Sequence, residues 1–413
     1  MSSDLSWDRK VLSNGLTVLS YPRLSGMTAQ LSVAIKYGSN DDPDEKSGNA
    51  HFLEHMLAGG SQSRIKLNHE IEKFGGCSNF ETTNEFTFCT MDVFPDKIAE
   101  ASTVLSGLLF DSMFEKDKLE VERTVILNEI ADASDNPRDE IEETLIKCLF
   151  KHHPIKNPIL GSNKTVIQIM LIDLEKAYQN NYDPQNMILI LTGKFSESNF
   201  ETVLRDFEDR ENSNSISRNS RKIDESKPKK EALIVRSGIK QAYLCFGLRT
   251  PPAKNNDARS LDLINTILGN GESSRLFVEL REKRGLTYDF GSLNVHGLDY
   301  GYFYIDCAVK TKLLKQTKTI IQEEIEKIKN VLVLKNEIEK SKNLLLGDIL
   351  RSIDNLQELP RFLTELEINF ENKNALVDYT NKIRSLTAQN ILEAANKYFQ
   401  EENYSIATLT SKK

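Results

Sequence analysis

The chain has 413 residues, 28% of them charged, and a net charge of −8 at pH 7. That length is more than one hydrophobic core serves and suits two domains of roughly 200 residues each. No apolar run reaches the ~18 residues that a membrane helix needs, so no membrane partner is expected; a nucleic acid is not expected as a partner either.

At the start, Met1-Ser2-Ser3-Asp4-Leu5-Ser6-Trp7 has neither the basic nor the apolar region of a secretory signal. The five cysteines (77, 89, 148, 245 and 307) are scattered and never in a C-x-x-C pair. That suits buried thiols in a reducing compartment, so a cytoplasmic location is expected. The stretch His51-Phe52-Leu53-Glu54-His55 puts two imidazoles four residues apart, with a carboxylate three after the first. On a helix these share one face. Two neutral histidines at that spacing can bind one zinc ion, and Glu54 then sits beside whatever the metal holds. A catalytic zinc takes a third protein ligand, which must come from elsewhere.

Gly75-Gly76 opens a segment, Cys77 to Glu85, that alternates into a strand. An exposed edge strand can take up an extended peptide through main-chain hydrogen bonds that are blind to sequence. A helix is expected over Lys97 to Phe110. Another runs through Leu119 to Ile130, where Leu119, Val125, Ile126 and Ile130 recur at helical spacing. Glu122 and Glu129 lie two turns apart on a common face of it. His152-His153-Pro154 reads as structural, since adjacent histidines point in different directions and no third ligand is near. The polar, Ser/Asn-rich stretch 211–230 reads as a linker between domains 1–210 and 231–413.

The two halves differ in charge: residues 1–210 hold 21 Lys and Arg against 34 Asp and Glu, a net of −13, whereas 211–413 carry +5. They also repeat. Asn186 before Met187-Ile188-Leu189 and Asn403 before Tyr404-Ser405-Ile406 are 217 residues apart. Phe86-Thr87-Phe88-Cys89 and Phe303-Tyr304-Ile305-Asp306 share that offset. Two matches at one spacing argue for duplication of a unit of roughly 200 residues. Strand segments alternate more often than they run continuously apolar, which favours a mostly antiparallel or mixed sheet covered on one side by helices. The expected class is α+β, with two homologous domains.

His51 to His55, followed by Glu129 after 73 intervening residues, resembles the insulinase/pitrilysin family of zinc metallopeptidases. The blocks Gly38-Ser39-Asn40-Asp41 and Glu122-Arg123-Thr124-Val125-Ile126-Leu127-Asn128-Glu129-Ile130 match it too, and the resemblance runs over essentially the full length. It implies one Zn2+ per chain on His51, His55 and Glu129, with Glu54 as general base and Glu122 as a carboxylate supporting a ligand. It also implies that Asn79 on the edge strand meets the substrate backbone. Phe80 departs from the family's usual alanine at the next position. Gly269-Asn270-Gly271-Glu272 through Tyr288 is similar to the family's second signature, whose arginine and tyrosine reach the active site. Arg281 and Tyr288 fit that spacing, with Arg284 as the alternative arginine. The implied whole is half of a clamshell, completed by a second copy or by a related subunit. The implied activity is endopeptidase cleavage of extended or unfolded segments. The alternatives within the family are a partner subunit that binds peptide without cutting it and a dedicated precursor-processing peptidase.

Overall fold

Strands and helices alternate along the chain but sort into two mixed sheets. The computed structural model describes residues 7–23, 26–58, 63–211, 221 and 226–411, with 63–67 described by backbone only. Residues 1–6 and most of the expected linker therefore lie outside the described residues. In chain order the elements are β1 (Asp8–Val11), β2 (Thr17–Pro22), β3 (Ala29–Ile35), α1 (Asn49–Ala58), α2 (Ser63–Lys73), β4 (Cys77–Thr82), β5 (Thr87–Val93), α3 (Ile98–Phe110), α4 (Lys116–Asp135), α5 (Pro137–Leu149), α6 (Asn163–Gln168), α7 (Leu171–Asn181), β6 (Met187–Gly193) and α8 (Glu197–Glu208). They continue with β7 (Glu231–Arg236), β8 (Ala242–Arg249), α9 (Ala258–Leu268), β9 (Phe290–His296), β10 (Gly301–Val309), α10 (Leu314–Asn330), α11 (Lys335–Asp354), α12 (Leu359–Phe370), α13 (Ala375–Ser385), α14 (Ala388–Tyr398) and β11 (Tyr404–Ser411).

Two compact units result. The first takes the chain up to Asp132, from Asn157 to the linker, and Ser352–Asn374; the second takes Ala133–Lys156, from the linker to Arg351, and from Ala375 onward. The first unit's sheet has the order β1-β2-β6-β3-β5-β4. Only β2 and β6 run parallel in it. Leu31, Val33 and Ile35 of β3 and Leu189 and Leu191 of β6 share a core with Phe52 and Leu53 of α1, Leu105 of α3 and Phe207 of α8. Strand alternation turns Ile188 and Ile190 to the opposite face. They are buried there as well, on the strand against which α12 packs.

The second unit's sheet has the order β7-β11-β8-β10-β9, with β7 and β11 parallel. One face, with Phe246 of β8 and Phe303 and Ile305 of β10, packs on Leu261 and Ile264 of α9, Ile321 of α10 and Ile391 of α14. The other, with Cys245, Tyr302 and Leu409, packs on Ile141, Leu145 and Leu149 of α5. Strand for strand, β2-β6-β3-β5-β4 and β7-β11-β8-β10-β9 follow the same path. Both 217-residue matches fall on equivalent elements, β5 with β10 and the entries to β6 and β11. The α+β class with two similar mixed sheets is as the sequence implies. Helices on one side only is not: each sheet's second face is also covered at its centre. The covering helix, α12 or α5, is in each case one whose sequence neighbours lie mostly in the other unit. Among the described residues, no helix is long and apolar enough to cross a membrane.

Candidate metal centre

The helix that carries His51 begins from a fixed point. Asp42 accepts hydrogen bonds from the N–H groups of Gly48 and Ala50 at 3.0 Å each and from the Tyr37 hydroxyl at 2.9 Å. Asn49 Nδ2 donates to the same hydroxyl at 3.0 Å. The Ala50 N–H belongs to the first turn of α1, where donors have no partner within the helix, and an anion there also suits the helix dipole. Residue 48 can only be glycine: its φ is +96°, and a Cβ would lie 2.7 Å from the Leu160 carbonyl oxygen.

Phe52, Leu53, Met56 and Leu57 bury one stripe of α1, and the remaining positions present His51, Glu54 and His55. Helix α4 is anchored beside it by Arg123. Its guanidinium donates to the carbonyls of Val166 and Ile169 and lies 5.2 Å from the centre of the Phe52 ring. That anchoring brings Glu122 and Glu129 to the histidines. The Nε2 atoms of His51 and His55 lie 3.6 and 3.4 Å from Glu129 Oε2. His55 Nδ1–H donates to Glu122 Oε2 at 3.2 Å. Glu122 is buried, and an ionised carboxylate there suits the tautomer that leaves the Nε2 lone pair facing Glu129. Burial, with His55 alongside, pushes the His51 imidazolium down to about 3. The ring is therefore neutral at ordinary pH and can offer a lone pair.

These three side chains fit a metal. Tetrahedral zinc with bonds of about 2.0–2.2 Å holds its ligand atoms roughly 3.4 Å apart, close to the two separations on Glu129. Among the described residues, His51, His55 and Glu129 form the one such group, with ligand atoms within 4.8 Å of one another. His51 Nδ1 is buried without a hydrogen-bond partner, so a cation at Nε2 would offset a ring otherwise poorly solvated. Two imidazoles and a carboxylate are a donor set that zinc takes in catalytic sites, and one that iron accepts as well.

Glu54 shares the helix and is buried. Burial pushes its carboxyl up, opposed by His55 and by the Thr82 hydroxyl, which donates to Glu54 Oε2 at 3.1 Å. Thr82 ends β4, the edge strand of its sheet. Along β4, Asn79 is exposed, whereas Phe80 is half-buried against the core. Phe80 thus points inward with Thr82, and its size is spent on packing.

Arg281 and Tyr288 belong to the second unit. Arg281 lies on a π-helical turn, Phe277–Glu282. Its guanidinium carbon is 4.8 Å from the centre of the Phe277 ring and 4.5 Å from that of Tyr288. Tyr288 is 82% exposed, so a large aromatic is held at the surface by a cation. Arg284 bonds back to Glu279, at its backbone carbonyl and its carboxylate. His153 is buried, donating from Nε2 to Asp299 at 3.0 Å and accepting the Ile155 N–H at Nδ1. That is a structural role, as the sequence suggested. Four cysteines are buried as free thiols, whereas Cys77 on β4 is exposed. Sequence reasoning passed over Asp42, Arg123 and Thr82, because nothing local marks a cap, an anchor or a donor whose partner is distant.

Comparison with known proteins agrees with this geometry. Residues 17–163 match the model of insulinase (peptidase family M16), and residues 169–345 that of the peptidase M16 inactive domain. A protein of Rickettsia felis described as an uncharacterized zinc protease is 29% identical over 343 residues, spanning 78% of this chain and 81% of its own. Another so described, from Bacillus subtilis, is 24% identical over 97% of this chain and 98% of its own. The crystal structure of a Helicobacter pylori protease has the same fold, with a TM-score of 0.89 at 22% identity over 98% and 99% of the two chains. With both halves matched in order and the His/His/Glu group on its two helices, the chain belongs to the peptidase M16 (insulinase) family.

Proposed function

We propose that the chain is a zinc endopeptidase acting on extended peptides or unfolded polypeptide segments. The observation that carries this reading is the convergence of His51, His55 and Glu129 around one point, with Glu54 on the same helix as both histidines. Zinc bound there supplies Lewis acidity, bringing the pKa of a water molecule toward about 7 and polarising a carbonyl. Glu122 keeps the His55 ring oriented. Glu54 accepts the proton of the attacking water and returns it to the leaving amine. The outer edge of β4, the terminal strand of its sheet among the described residues, carries Asn79 and pairs with the substrate backbone. Arg281 and Tyr288, when brought to the site by a second copy of the chain, would offer a guanidinium and a phenol O–H to the developing oxyanion.

Glu54→Gln is the test, because an amide cannot take the water proton. Zinc content by atomic absorption should stay near one per chain, and turnover of mixed peptides should fall by about 10²–10⁴-fold. In the companion variant, Glu129→Gln, zinc affinity should drop. A Glu54→Gln enzyme retaining activity within about tenfold of the parent would refute the assigned base.

A further inference from the structure

We infer that Thr82 is a positioning residue for Glu54, joining the edge strand β4 to the base through one hydrogen bond; this rests on the peptidase reading above. A glutamate carboxylate turns about a broad, roughly two-fold terminal torsion, so burial alone does not orient its oxygens. The Thr82 hydroxyl does. It donates to Oε2 at 3.1 Å, from a residue that is itself buried. With Oε2 held, Oε1 is left to receive a proton. Because positional errors of about 1 Å can cost 10²-fold in rate, a fixed carboxylate plane matters to a general base.

Thr82 can perform this role because its own place is determined from three sides. It pairs with Thr87 at the end of the β4–β5 register, and the Thr87 hydroxyl donates to the Tyr37 carbonyl at 3.0 Å. Alternation turns the neighbouring Glu81 to the opposite face of the sheet, where it forms an ion pair with Arg361 of α12. Arg361 is itself held by Glu365 at 3.3 Å. A strand fixed on one face by an ion pair and on the other by a hydroxyl cannot slip without releasing Glu54. The strand on which we expect the substrate to add is thereby tied to the group expected to activate water.

The experiment compares Thr82→Val, which removes the hydroxyl and nearly preserves volume, with Thr82→Ser, which restores it. Kinetics use a quenched fluorescent library of extended peptides on the zinc-loaded full chain. In Thr82→Val, kcat should fall by about 10- to 100-fold with KM within about twofold. Zinc content should match the parent, and the chain should remain folded, with the thermal midpoint lowered by only about 2–8 °C for the lost buried hydrogen bond. Thr82→Ser should recover kcat to within about threefold of the parent. Adding Thr82→Val to Glu54→Gln should cost nothing further, since the residue acts through Glu54. An unchanged kcat, a loss carried by KM, or a serine variant as poor as valine would overturn the inference. So would loss of zinc or of folding in both Thr82→Val and Thr82→Ala, which would make Thr82 a packing residue. A parent chain that binds zinc and cuts none of the library would overturn the peptidase reading and this inference with it. Failure of the Thr82 comparison in an active parent would overturn the inference alone.

Discussion

Asp42 is a carboxylate whose burial works against its hydrogen bonds. Burial pushes it up to about 7, while the Tyr37 hydroxyl and the N–H groups of Gly48, Asn49 and Ala50 pull the other way. An unfolded aspartate titrates near ~3.9, so between about 4 and 7 the folded protein holds this proton more tightly than the unfolded chain. The stabilisation from this group is therefore complete below about 4 and is lost as pH rises through about 7. Asparagine at this position cannot titrate. The stability of the parent relative to Asp42→Asn should fall by about 2–4 kcal/mol between pH 4 and 8. Trp7, the chain's one tryptophan, is buried in the same unit, and its fluorescence during urea unfolding of the metal-free chain reports the change. Parallel pH profiles would show that Asp42 titrates alike in both states.

At the scale of elements, the sequence was readable where the signal is local. The H-x-x-E-H spacing is complete within one helix, and Asn186/Asn403 and Phe86/Phe303 betray the duplication by constant offset. What the sequence withheld are pairings across long separations. Thr82 follows Glu54 by 28 residues, and alternation says that it shares a face with Phe80 but not what that face meets. The same holds for α5 and α12: an amphipathic period announces a buried stripe without naming the sheet that buries it. Here each closes a sheet made mostly of sequence from beyond its neighbours. Leu145 of α5 makes the dependence measurable. It is fully buried and reaches so close to β8 that a Cβ on Gly247 would lie 2.6 Å from its Cδ2. Leu145→Ala should cost the second unit about 2–5 kcal/mol, read by urea unfolding through near-ultraviolet dichroism of the tyrosines. A cost below about 1 kcal/mol would mean that the sheet can rearrange to fill the space α5 leaves.

At the scale of the whole molecule, the proposed peptidase activity raises the question of what encloses the metal group. Each chain carries the His51/His55/Glu129 group in its first unit and Arg281 with Tyr288 in its second. Peptide hydrolysis profits from a site shut off from bulk water, and we propose that two copies supply it by facing each other antiparallel. Each sequence half of net charge −13 would then oppose one of +5, which favours this pairing at low salt. The hypothesis has a signature that no single-chain site shares. His51→Ala and Arg281→Ala should each be nearly inactive alone. After exchange of equal amounts, half the dimers are mixed, and one of the two chambers in each keeps an intact metal group and an intact arginine. About a quarter of the parent activity should therefore return, and it should vanish again if a covalent cross-link prevents exchange. Full activity of a monomer at nanomolar concentration, or no recovery despite exchange shown by labelled subunits, would refute the shared chamber and point instead to a related second subunit.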